Sequence, residues 1–417
     1  MTVTGVSVTV RGGGSGSPRE WPATLDVDGL IQHGWRPTAF RQFLLKIHSR
    51  CNLSCDYCYI YRSADQSWRH RPVTMSPAVL EVTIRRIAEH VTAHGLNTIS
   101  IILHGGEPLL AGHAYLNDMV RRLREVLNPL VRLHLGVQTN GILLDETFLQ
   151  VFRSFNVQVG VSLDGDSIAH DRNRRYRSGR GSYAVVSQAL ALLRSPEYRT
   201  IYSGLLCAVD LRNDPISVYE ALLTTNPPAV DFLLPHGTWS APPPGRDCDR
   251  THTPYATWLI AVFERWYSSP QRETRVRLFE EILCLLLGGQ SKSESVGLTP
   301  TSLIVIEADG SIEQTDTLKS AYDGAPETGM HVARDSFDAA LRLPSIAARQ
   351  LGVDALADEC IACSLRQVCG GGLYPHRYRS DSGFRNPSVY CPDLFRLISH
   401  IRDRVRADLC AYLGTGR

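Results

Sequence analysis

Short apolar segments alternate with amphipathic segments through the middle of the chain, and this order restricts the fold more than any other feature. Six segments read as strands, at 43–47, 98–103, 131–138, 157–163, 200–209 and 230–234. Helical spacing predicts a helix in each interval, the first of them capped by Ser76 and begun by Pro77. The alternation predicts a parallel α/β fold, in which functional groups lie at the carboxyl ends of the strands.

Three cysteines come directly after the first predicted strand. Cys51, Cys55 and Cys58 have the spacing C-x3-C-x2-C, so one short loop directs three thiolates at one point. Thiolates hold [4Fe–4S] clusters and usually number four, so three leave one iron open to a substrate or cosubstrate. A structural zinc site is the alternative, but such sites usually close with four ligands at other spacings.

The cysteine loop resembles that of radical SAM enzymes, including the aromatic Tyr57 before the third cysteine. The resemblance implies that the open iron chelates S-adenosylmethionine (SAM) through its amino and carboxylate groups. It also implies a fold of α/β class, a partial (β/α)6 TIM barrel with a C-terminal SPASM-like iron–sulfur domain. The predicted divisions are an irregular lead-in, a core barrel, a helical bridging region and the SPASM-like domain, at 1–38, 39–236, 237–300 and 301–417.

Polar and glycine motifs end three of the predicted strands. Residues 104–108 read His-Gly-Gly-Glu-Pro, residues 138–141 read Gln-Thr-Asn-Gly, and residues 160–165 read Gly-Val-Ser-Leu-Asp-Gly. By the resemblance, the residues facing SAM are Gly105, Gly106 and Glu107 at its amino group, Ser162 near its ribose or carboxylate, Asp164 in the same cavity, and Arg174 at its carboxylate. Guanidinium groups pair bidentately with carboxylates, which suits the last assignment. The alternative for each polar residue is turn chemistry or helix capping.

A second group of cysteines lies near the C-terminus. It consists of Cys360, Cys363, Cys369 and Cys391, with three glycines after the third. The pattern resembles the SPASM extension of radical SAM peptide maturases, but Leu373 and Thr315 stand where two further cysteines are usual. Both departures remove ligands of the same cluster. The resemblance therefore implies one auxiliary [4Fe–4S] cluster on the four cysteines, with a zinc ribbon as the alternative.

Asp316 is the candidate catalytic residue. It follows Thr315, directly after a predicted hairpin with an Asp309-Gly310 turn. In the maturases that the chain resembles, the acid at this position lies near the substrate and acts as a base. The alternative is that Asp316 only caps the turn.

Four further segments resemble FxsB-type radical SAM/SPASM proteins, which mature ribosomally made peptides. They read Asp-Gln-Ser-Trp from Asp65, Leu-Leu-Pro-His up to His236, Gly-Gly-Gly-Leu-Tyr-Pro-His-Arg up to Arg377, and Asn-Pro-Ser-Val-Tyr-Cys up to Cys391. The resemblance implies a C–C crosslink, a cyclophane, between an aromatic ring carbon and the β-carbon of a residue two positions on. It implies a precursor peptide and an electron donor such as a flavodoxin or ferredoxin as partners. A thioether or Lys–Trp crosslink, or a non-catalytic iron–sulfur electron carrier, are the alternatives.

Composition narrows the range of partners. The net charge of +2 gives no sign of nucleic-acid binding. No apolar run approaches ~18 residues and the N-terminus lacks the order of a secretory signal, so we expect a cytoplasmic protein without a membrane partner. Four isolated cysteines, Cys207, Cys248, Cys284 and Cys410, read as buried structural thiols. Lys46, Lys292 and Lys319 are the only lysines, a bias that we attribute to genome composition.

Overall fold

One sheet organises the protein. The computed structural model describes residues 21–246, 249 and 251–414. Its strands are Gln42–His48 (β1), Thr98–Gly105 (β2), Arg132–Thr139 (β3), Val157–Ser162 (β4), Tyr202–Ala208 (β5), Ala229–Leu233 (β6), Arg275–Val276 (β7), Leu303–Ile306 (β8), Ser311–Glu313 (β9) and Glu327–His331 (β10). Within the described ranges these ten strands form a single sheet in the order β10-β9-β8-β1-β2-β3-β4-β5-β6-β7.

The strands from β1 to β6 are parallel and lie side by side in chain order. β8 joins them in parallel beside β1, whereas β9 and β10 turn back antiparallel. The six predicted strands are therefore confirmed, and the sheet continues into the segment predicted to begin the SPASM-like domain. The α/β class and the partial (β/α)6 barrel are confirmed as well.

Helices connect the parallel strands. They are Val27–Gln32 (α1), Pro77–Ala93 (α2), His113–Leu127 (α3), Glu146–Ser154 (α4), Ser167–Asn173 (α5), Tyr183–Leu193 (α6), Pro215–Leu223 (α7), Pro254–Tyr267 (α8), Arg277–Leu286 (α9), Phe337–Ala340 (α10), Pro344–Ala348 (α11), Asp358–Ile361 (α12), Arg366–Cys369 (α13) and Cys391–Gly414 (α14). Ser76 caps α2 as predicted, since its hydroxyl accepts from the backbone N–H of Val79.

Buried and partly exposed residues alternate along β2, so its two faces have different surroundings. Ile99, Ile101 and Leu103 join the hydrophobic core. The residues that alternate with them, such as Ile102 and His104, line a cavity of about 480 Å³ on the inner face of the sheet. A partial barrel of this kind keeps room for a substrate beside the strand ends.

Three sequence predictions differ from the structure or lie outside it. The lead-in, predicted to be irregular, contains α1, which Asp26 caps. Among the isolated cysteines only Cys207 is buried as predicted, because Cys284 and Cys410 are exposed and Cys248 lies outside the described residues. The glycine-rich segment 12–18 is also outside them. No helix in the described part of the chain is long and apolar enough to cross a membrane.

Candidate active site

The cluster loop leaves the carboxyl end of β1 and is held in place by the segment after α5. The backbone N–H of Ser54 donates to the carbonyl of Arg175 at 2.7 Å. Leu53 forms an isolated bridge with Tyr176. The Arg175 guanidinium also binds the Asp56 carboxylate at 2.9 Å. The loop is thus tied to a second part of the barrel, which fixes the directions of its thiols.

Gly105 and Gly106 let the end of β2 lie directly against this loop. A Cβ atom on Gly105 would lie 2.2 Å from the carbonyl oxygen of His48, and one on Gly106 only 1.8 Å from the Tyr61 hydroxyl. Neither position has room for a side chain. The sequence suggested close approach to a ligand, and the structure shows close approach to the loop that carries the cysteines.

The three thiols of the loop suit a metal cluster. Cys51, Cys55 and Cys58 line one cavity together. Burial raises the pKa of Cys51 to about 12, with the Glu107 charge and the other thiols adding to the effect. Burial likewise raises the pKa of Cys55 to about 11, although Arg174 opposes it. Thiols crowded in this way are costly to ionise alone, and an iron cluster supplies the positive charge that three neighbouring thiolates need.

A cavity of about 200 Å³ connects the thiols with the ends of β2, β3 and β4. Ser162 and Gln138 line it, and the Gln138 amide donates to the Ser162 hydroxyl at 3.2 Å. Asn140, from the motif after β3, donates through its side-chain amide to the Cys51 sulfur at 3.6 Å. The sequence had not assigned a contact between this motif and the cysteines.

Asp164 and Arg174 lie together at the wall of this cavity. One Asp164 oxygen accepts from Arg174 Nε at 2.8 Å and from the Tyr57 hydroxyl, and the other accepts from the backbone N–H of Ala208 at 3.0 Å. Among the described residues no acceptor takes a hydrogen bond from the Nη groups of Arg174. Asp164 therefore orients Arg174 through Nε, and the contact of Arg174 with the carboxylate of SAM stays a prediction.

Glu107 uses its carboxylate within the protein. It is 1 % exposed and accepts from Leu109 N at 3.0 Å, the Thr139 hydroxyl at 2.7 Å and Asn140 N at 2.8 Å. Burial raises its pKa to about 7 despite these hydrogen bonds. The carboxylate ties the end of β2 to the end of β3, and its predicted contact with the SAM amino group stays a prediction.

Asp316 is buried beside the same strand ends, at the start of the 3₁₀ turn Asp316–Ser320. Lys46 Nζ lies 2.6 Å from its Oδ2 and also donates to the Gly105 carbonyl at 3.1 Å and to His104 Nδ1 at 3.3 Å. Its Oδ1 is buried and has no hydrogen-bond partner in the described part of the chain. Burial opposes ionisation, but the charges of Lys46 and Lys319 outweigh it and hold the pKa of Asp316 below its usual value.

His104 takes a defined tautomer from this contact. An ammonium group only donates, so His104 Nδ1 accepts from Lys46 and the ring proton sits on Nε2. Burial, helped by the Lys46 charge, lowers the pKa of His104 to about 4. His104 is therefore a neutral donor in the wall of the cavity. Neither Lys46 nor His104 was assigned a role from sequence.

The second group of cysteines lines another cavity. Cys360, Cys363, Cys369 and Cys391 surround about 560 Å³ between α12, α13 and the start of α14. Burial raises the pKa of Cys360 to about 11 and of Cys369 to about 12, and the neighbouring thiol of Cys391 adds to both. Four convergent thiols in a roomy cavity fit one cluster.

Three glycines after Cys369 shape the edge of this cavity. Gly370, Gly371 and Gly372 have φ angles of 59°, 80° and 70°, and a Cβ on the first would meet the Gly297 carbonyl oxygen at 1.7 Å. The left-handed turn curls around Arg377, whose Nη2 donates to the carbonyls of Gly370 and Gly372 at 2.7 Å each. The turn therefore depends on glycine at each position.

The four segments that resemble FxsB-type proteins make contacts at two places in the structure. His236 and His376 lie beside the cavity, with Nδ1 and Nε2 3.4 Å apart, and the Tyr59 ring packs on His236 at 4.8 Å. Asp65 is fully buried and accepts from the Ser67 hydroxyl at 2.7 Å, with Lys319 Nζ 3.5 Å away. These motifs join the cluster loop to the C-terminal third of the chain.

Comparison with known proteins agrees with this geometry. Residues 45–206 match the model of the Radical SAM superfamily. The chain is 26% identical over 272 residues to the cysteine-type anaerobic sulfatase-maturating enzyme of Clostridium perfringens, covering 64% of this chain and 72% of the relative. It is 25% identical over 347 residues to the serine-type enzyme of Klebsiella aerogenes, covering 82% and 81%.

Solved structures share the fold. Native anSMEcpe with bound AdoMet and Cp18Cys peptide superposes with a TM-score of 0.74 at 20% identity, covering 89% of this chain and 99% of that chain. Streptococcus suis SuiB bound to precursor peptide SuiA gives a TM-score of 0.56 at 12% identity, covering 87% and 78%.

The fold, the three-cysteine loop and the matched segment identify an enzyme that contains a radical SAM domain. Residues 45–206 are its radical SAM domain. A [4Fe–4S] cluster and SAM are its cofactors, as the Radical SAM match and the three cysteines inside the matched segment indicate.

Proposed function

We propose that this enzyme matures a ribosomally made precursor peptide by joining an aromatic ring carbon to the β-carbon of a residue two positions on. One observation carries the proposal. A single cavity joins the three thiols of the loop to Ser162 and Arg174, and on its other side reaches His104, which lies 3.7 Å from the buried carboxylate of Asp316. Two proteins that share the fold are bound to peptides, Cp18Cys in one and SuiA in the other.

Cys51, Cys55 and Cys58 would hold the cluster that binds SAM. Cys360, Cys363, Cys369 and Cys391 would hold one auxiliary cluster, because all four line one cavity. Thr315 and Leu373, at the positions where further cysteines are usual, offer no thiolate. The proposed complement is therefore two clusters.

The chain's own residues bind and orient the reactants. When bound, the cluster and SAM together supply a radical able to abstract hydrogen from a carbon atom. Arg174 takes the carboxylate of SAM with its free Nη groups while Asp164 holds its Nε. His104 offers its Nε2 proton to a peptide carbonyl, since its Nδ1 is occupied by Lys46. The buried lining keeps water from the reacting carbon atoms.

A new bond at an aromatic ring carbon requires that carbon to lose its proton. The proposed acceptor is Oδ1 of Asp316, which has no hydrogen-bond partner among the described residues, whereas Oδ2 is held by Lys46 at 2.6 Å. A positioned base contributes about 10²–10⁴-fold to such a step. Asp316 is thus the proposed catalytic base.

Maturation of a sulfatase is the second candidate, because two curated relatives of that activity match 64% and 82% of this chain. The two candidates differ in where the modification lies. A crosslink spans two residues and blocks fragmentation of the peptide between them, whereas a sulfatase-type modification would be confined to one residue.

Co-expression tests the proposal. The enzyme is produced with a short peptide encoded beside its gene that carries an aromatic residue near its C-terminus, and the peptide is analysed by tandem mass spectrometry. Loss of two hydrogens, with the missing fragments between an aromatic residue and the residue two positions on, is expected. The Cys51→Ala enzyme is the matched control and should leave the peptide unchanged. In vitro, dithionite replaces the proposed flavodoxin or ferredoxin. A single modified residue, or SAM cleavage with no peptide product, would reject the crosslinking assignment.

A further inference from the structure

A buried cluster of charges extends from Asp316 toward the protein surface. The chain has only three lysines among its 44 basic residues, and two of them, Lys46 and Lys319, are buried in this cluster at 2 % and 1 % exposure. An ammonium group is a compact point charge with three donors, which a planar guanidinium does not replace. Almost all other basic residues of the chain are arginine. The lysines at 46 and 319 therefore indicate that this cluster needs the compact ammonium group.

Three carboxyl groups lie next to one another inside this cluster. One oxygen each from Glu307, Glu313 and Asp316 lies within 4.8 Å of the other two, and all three residues are buried. Such a separation is closed by one water molecule or by a small carboxylate rotation. Lys319 Nζ lies 3.2 Å from both glutamates, and Lys46 Nζ lies 2.6 Å from Asp316. The ammonium groups of Lys319 and Lys46 occupy the space between the carboxylates in which a metal ion would bind. The three carboxyl groups therefore do not form a metal site.

Arg71 links the buried carboxylates of this cluster to a partly exposed one. Its guanidinium binds Glu313 Oε1 at 2.8 Å, the Ser311 hydroxyl at 2.7 Å and the Asp309 carboxylate. The side chain of Asp309 is 31 % exposed, whereas that of Glu313 is 1 % exposed. Ser311 and Glu313 are two residues apart on β9 and share one face of the strand. The Ser311 hydroxyl, which accepts from Arg71, keeps its own proton to donate.

The excess of carboxylates over cations in this cluster favours one carboxyl group that keeps its proton. The groups that face Glu313 are Glu307, Asp316, Lys319 and Arg71, with Asp65 on the far side of Lys319 and the exposed Glu327 opposite it on β10. Counting Asp309, five buried or half-buried carboxylates meet three cations, and unbalanced buried charge is costly. Burial and the Glu307 charge raise the pKa of Glu313 to about 8 against the opposing Lys319 and Arg71.

We propose that a proton taken up by Asp316 leaves the active-site cavity through Glu307 and Glu313 to Asp309, with Lys46, Lys319 and Arg71 holding the carboxyl groups in line. The inference rests on the proposed function, in which a substrate carbon loses a proton to Asp316. The β-carbon radical, formed when its hydrogen is abstracted, adds to the ring carbon and leaves a ring radical. The C–H bond of that ring carbon then breaks and its electron pair stays in the ring. The one surplus electron would be accepted by an oxidised iron–sulfur cluster. Glu313, already protonated, gives its proton outward and receives the next from the side of Asp316. Asp316 is then ionised again for another turnover.

The first measurement needs no peptide. The cluster-loaded full chain is titrated from pH 6 to pH 10, and its protonated carboxyl bands are followed by infrared spectroscopy. The parent should show a carboxyl band at neutral pH that disappears near pH 8 and that is missing in the Glu313→Gln variant. Glu327→Gln, at the exposed position opposite Glu313 on β10, is the matched control and should keep the band. A parent without a band that depends on Glu313 would overturn the proposal.

The second measurement follows turnover with the co-expressed peptide. Glu313→Gln should lower crosslinked product by about tenfold or more. It should leave peptide-free SAM cleavage at the parent rate, so that 5′-deoxyadenosine per product rises. Glu313→Asp, which keeps a carboxyl group, should restore part of the loss. Parent rates of product formation in Glu313→Gln would overturn the relay. If the parent makes no product with any peptide, the proposed function fails. The infrared measurement alone then decides whether Glu313 keeps a proton at neutral pH, as the relay requires.

Discussion

Replacing Lys46 by methionine tests how the proposed base is held. The side chains of Lys46 and Asp316 are 3 % and 4 % exposed, and Nζ lies 2.6 Å from Oδ2. Methionine keeps the length of the side chain and removes the charge. Asp316 would then be buried without the ammonium group that contacts it, and its Oδ1 already lacks a hydrogen-bond partner among the described residues. Removing one member of a buried ion pair typically costs about 3–5 kcal/mol.

The size of the chain converts this cost into a thermal shift. The entropy of unfolding is roughly 2.1 cal/mol/K per residue, or about 0.9 kcal/mol/K for a chain of this length. Lys46→Met should therefore lower the unfolding midpoint by about 3–6 °C at neutral pH. Asp316→Asn combined with Lys46→Met should recover much of the loss, because the double variant no longer buries a lone charge.

The loss should depend on pH with a defined sign. In the parent the pKa of Asp316 is held below its usual value by Lys46 and its neighbours, so its contribution is present above the unfolded pKa and is lost in acid. Without Lys46, burial raises the pKa of Asp316, so the penalty is absent in acid and grows as the pH rises above about 4. The gap between parent and variant should widen from acid toward neutral pH.

Thermal unfolding of anaerobically loaded proteins with equal iron content provides the assay. Lys292→Met is the matched control, since Lys292 is the one exposed lysine of the chain and its replacement should change stability by less than about 0.5 kcal/mol. A midpoint for Lys46→Met equal to that of the control would refute the reasoning. So would a double variant whose loss is the sum of the two single losses.

Four further outcomes are expected. Reconstituted protein should hold about eight irons in two clusters, and Cys51→Ala should abolish 5′-deoxyadenosine formation while keeping about half of the iron; about twelve irons in the parent would show a third cluster. Asp316→Asn should still cleave SAM when peptide is present but lose about 10²–10⁴-fold in crosslinked product, whereas equal losses of both would indicate a general defect. Gly106→Ala should impair iron loading of the loop, because its Cβ would lie 1.8 Å from the Tyr61 hydroxyl, and Tyr61→Phe should restore part of it. SAM-free protein should lose stability as the pH rises from about 4.5 through 7, because the pKa of Glu107 is raised to about 7, and Glu107→Gln should flatten that slope in thermal unfolding.

Local patterns predicted most of the elements that surround the site. Each core strand is a short apolar segment, and each motif follows a strand end, so β1 to β6 and the placing of the cysteine loop could be read from the sequence alone. The D-G turn likewise predicted the hairpin of β8 and β9. These features depend on neighbours in the chain, and periodicity reports such neighbours well.

Contacts between distant segments were not predictable in this way. Lys46 meets Asp316 across 270 residues, and Lys319 meets Asp65 across 254. The scarcity of lysine was visible in the sequence, but its link to a buried charge cluster needed the fold. The role of Glu107 also emerged only with its three donors in place, since a glutamate after two glycines carries no sign of what it accepts.

The register of one strand pair explains why Asp316 lies close to β1, the strand that leads into the cluster loop. β8 pairs in parallel with β1, with Leu45 opposite Ile306, so both strands point their carboxyl ends to the same edge of the sheet. The cysteine loop leaves that edge from β1. The hairpin turns back there into β9, and Asp316 begins the 3₁₀ turn that follows β9. Lys46, one residue beyond Leu45, then reaches both Asp316 and the Gly105 carbonyl. The pairing of β8 with β1 therefore positions both the proposed site of radical formation and the proposed route of the proton. A slip of β8 by one residue would turn its side chains to the opposite face of the sheet. It would also shift the hairpin that carries Asp316.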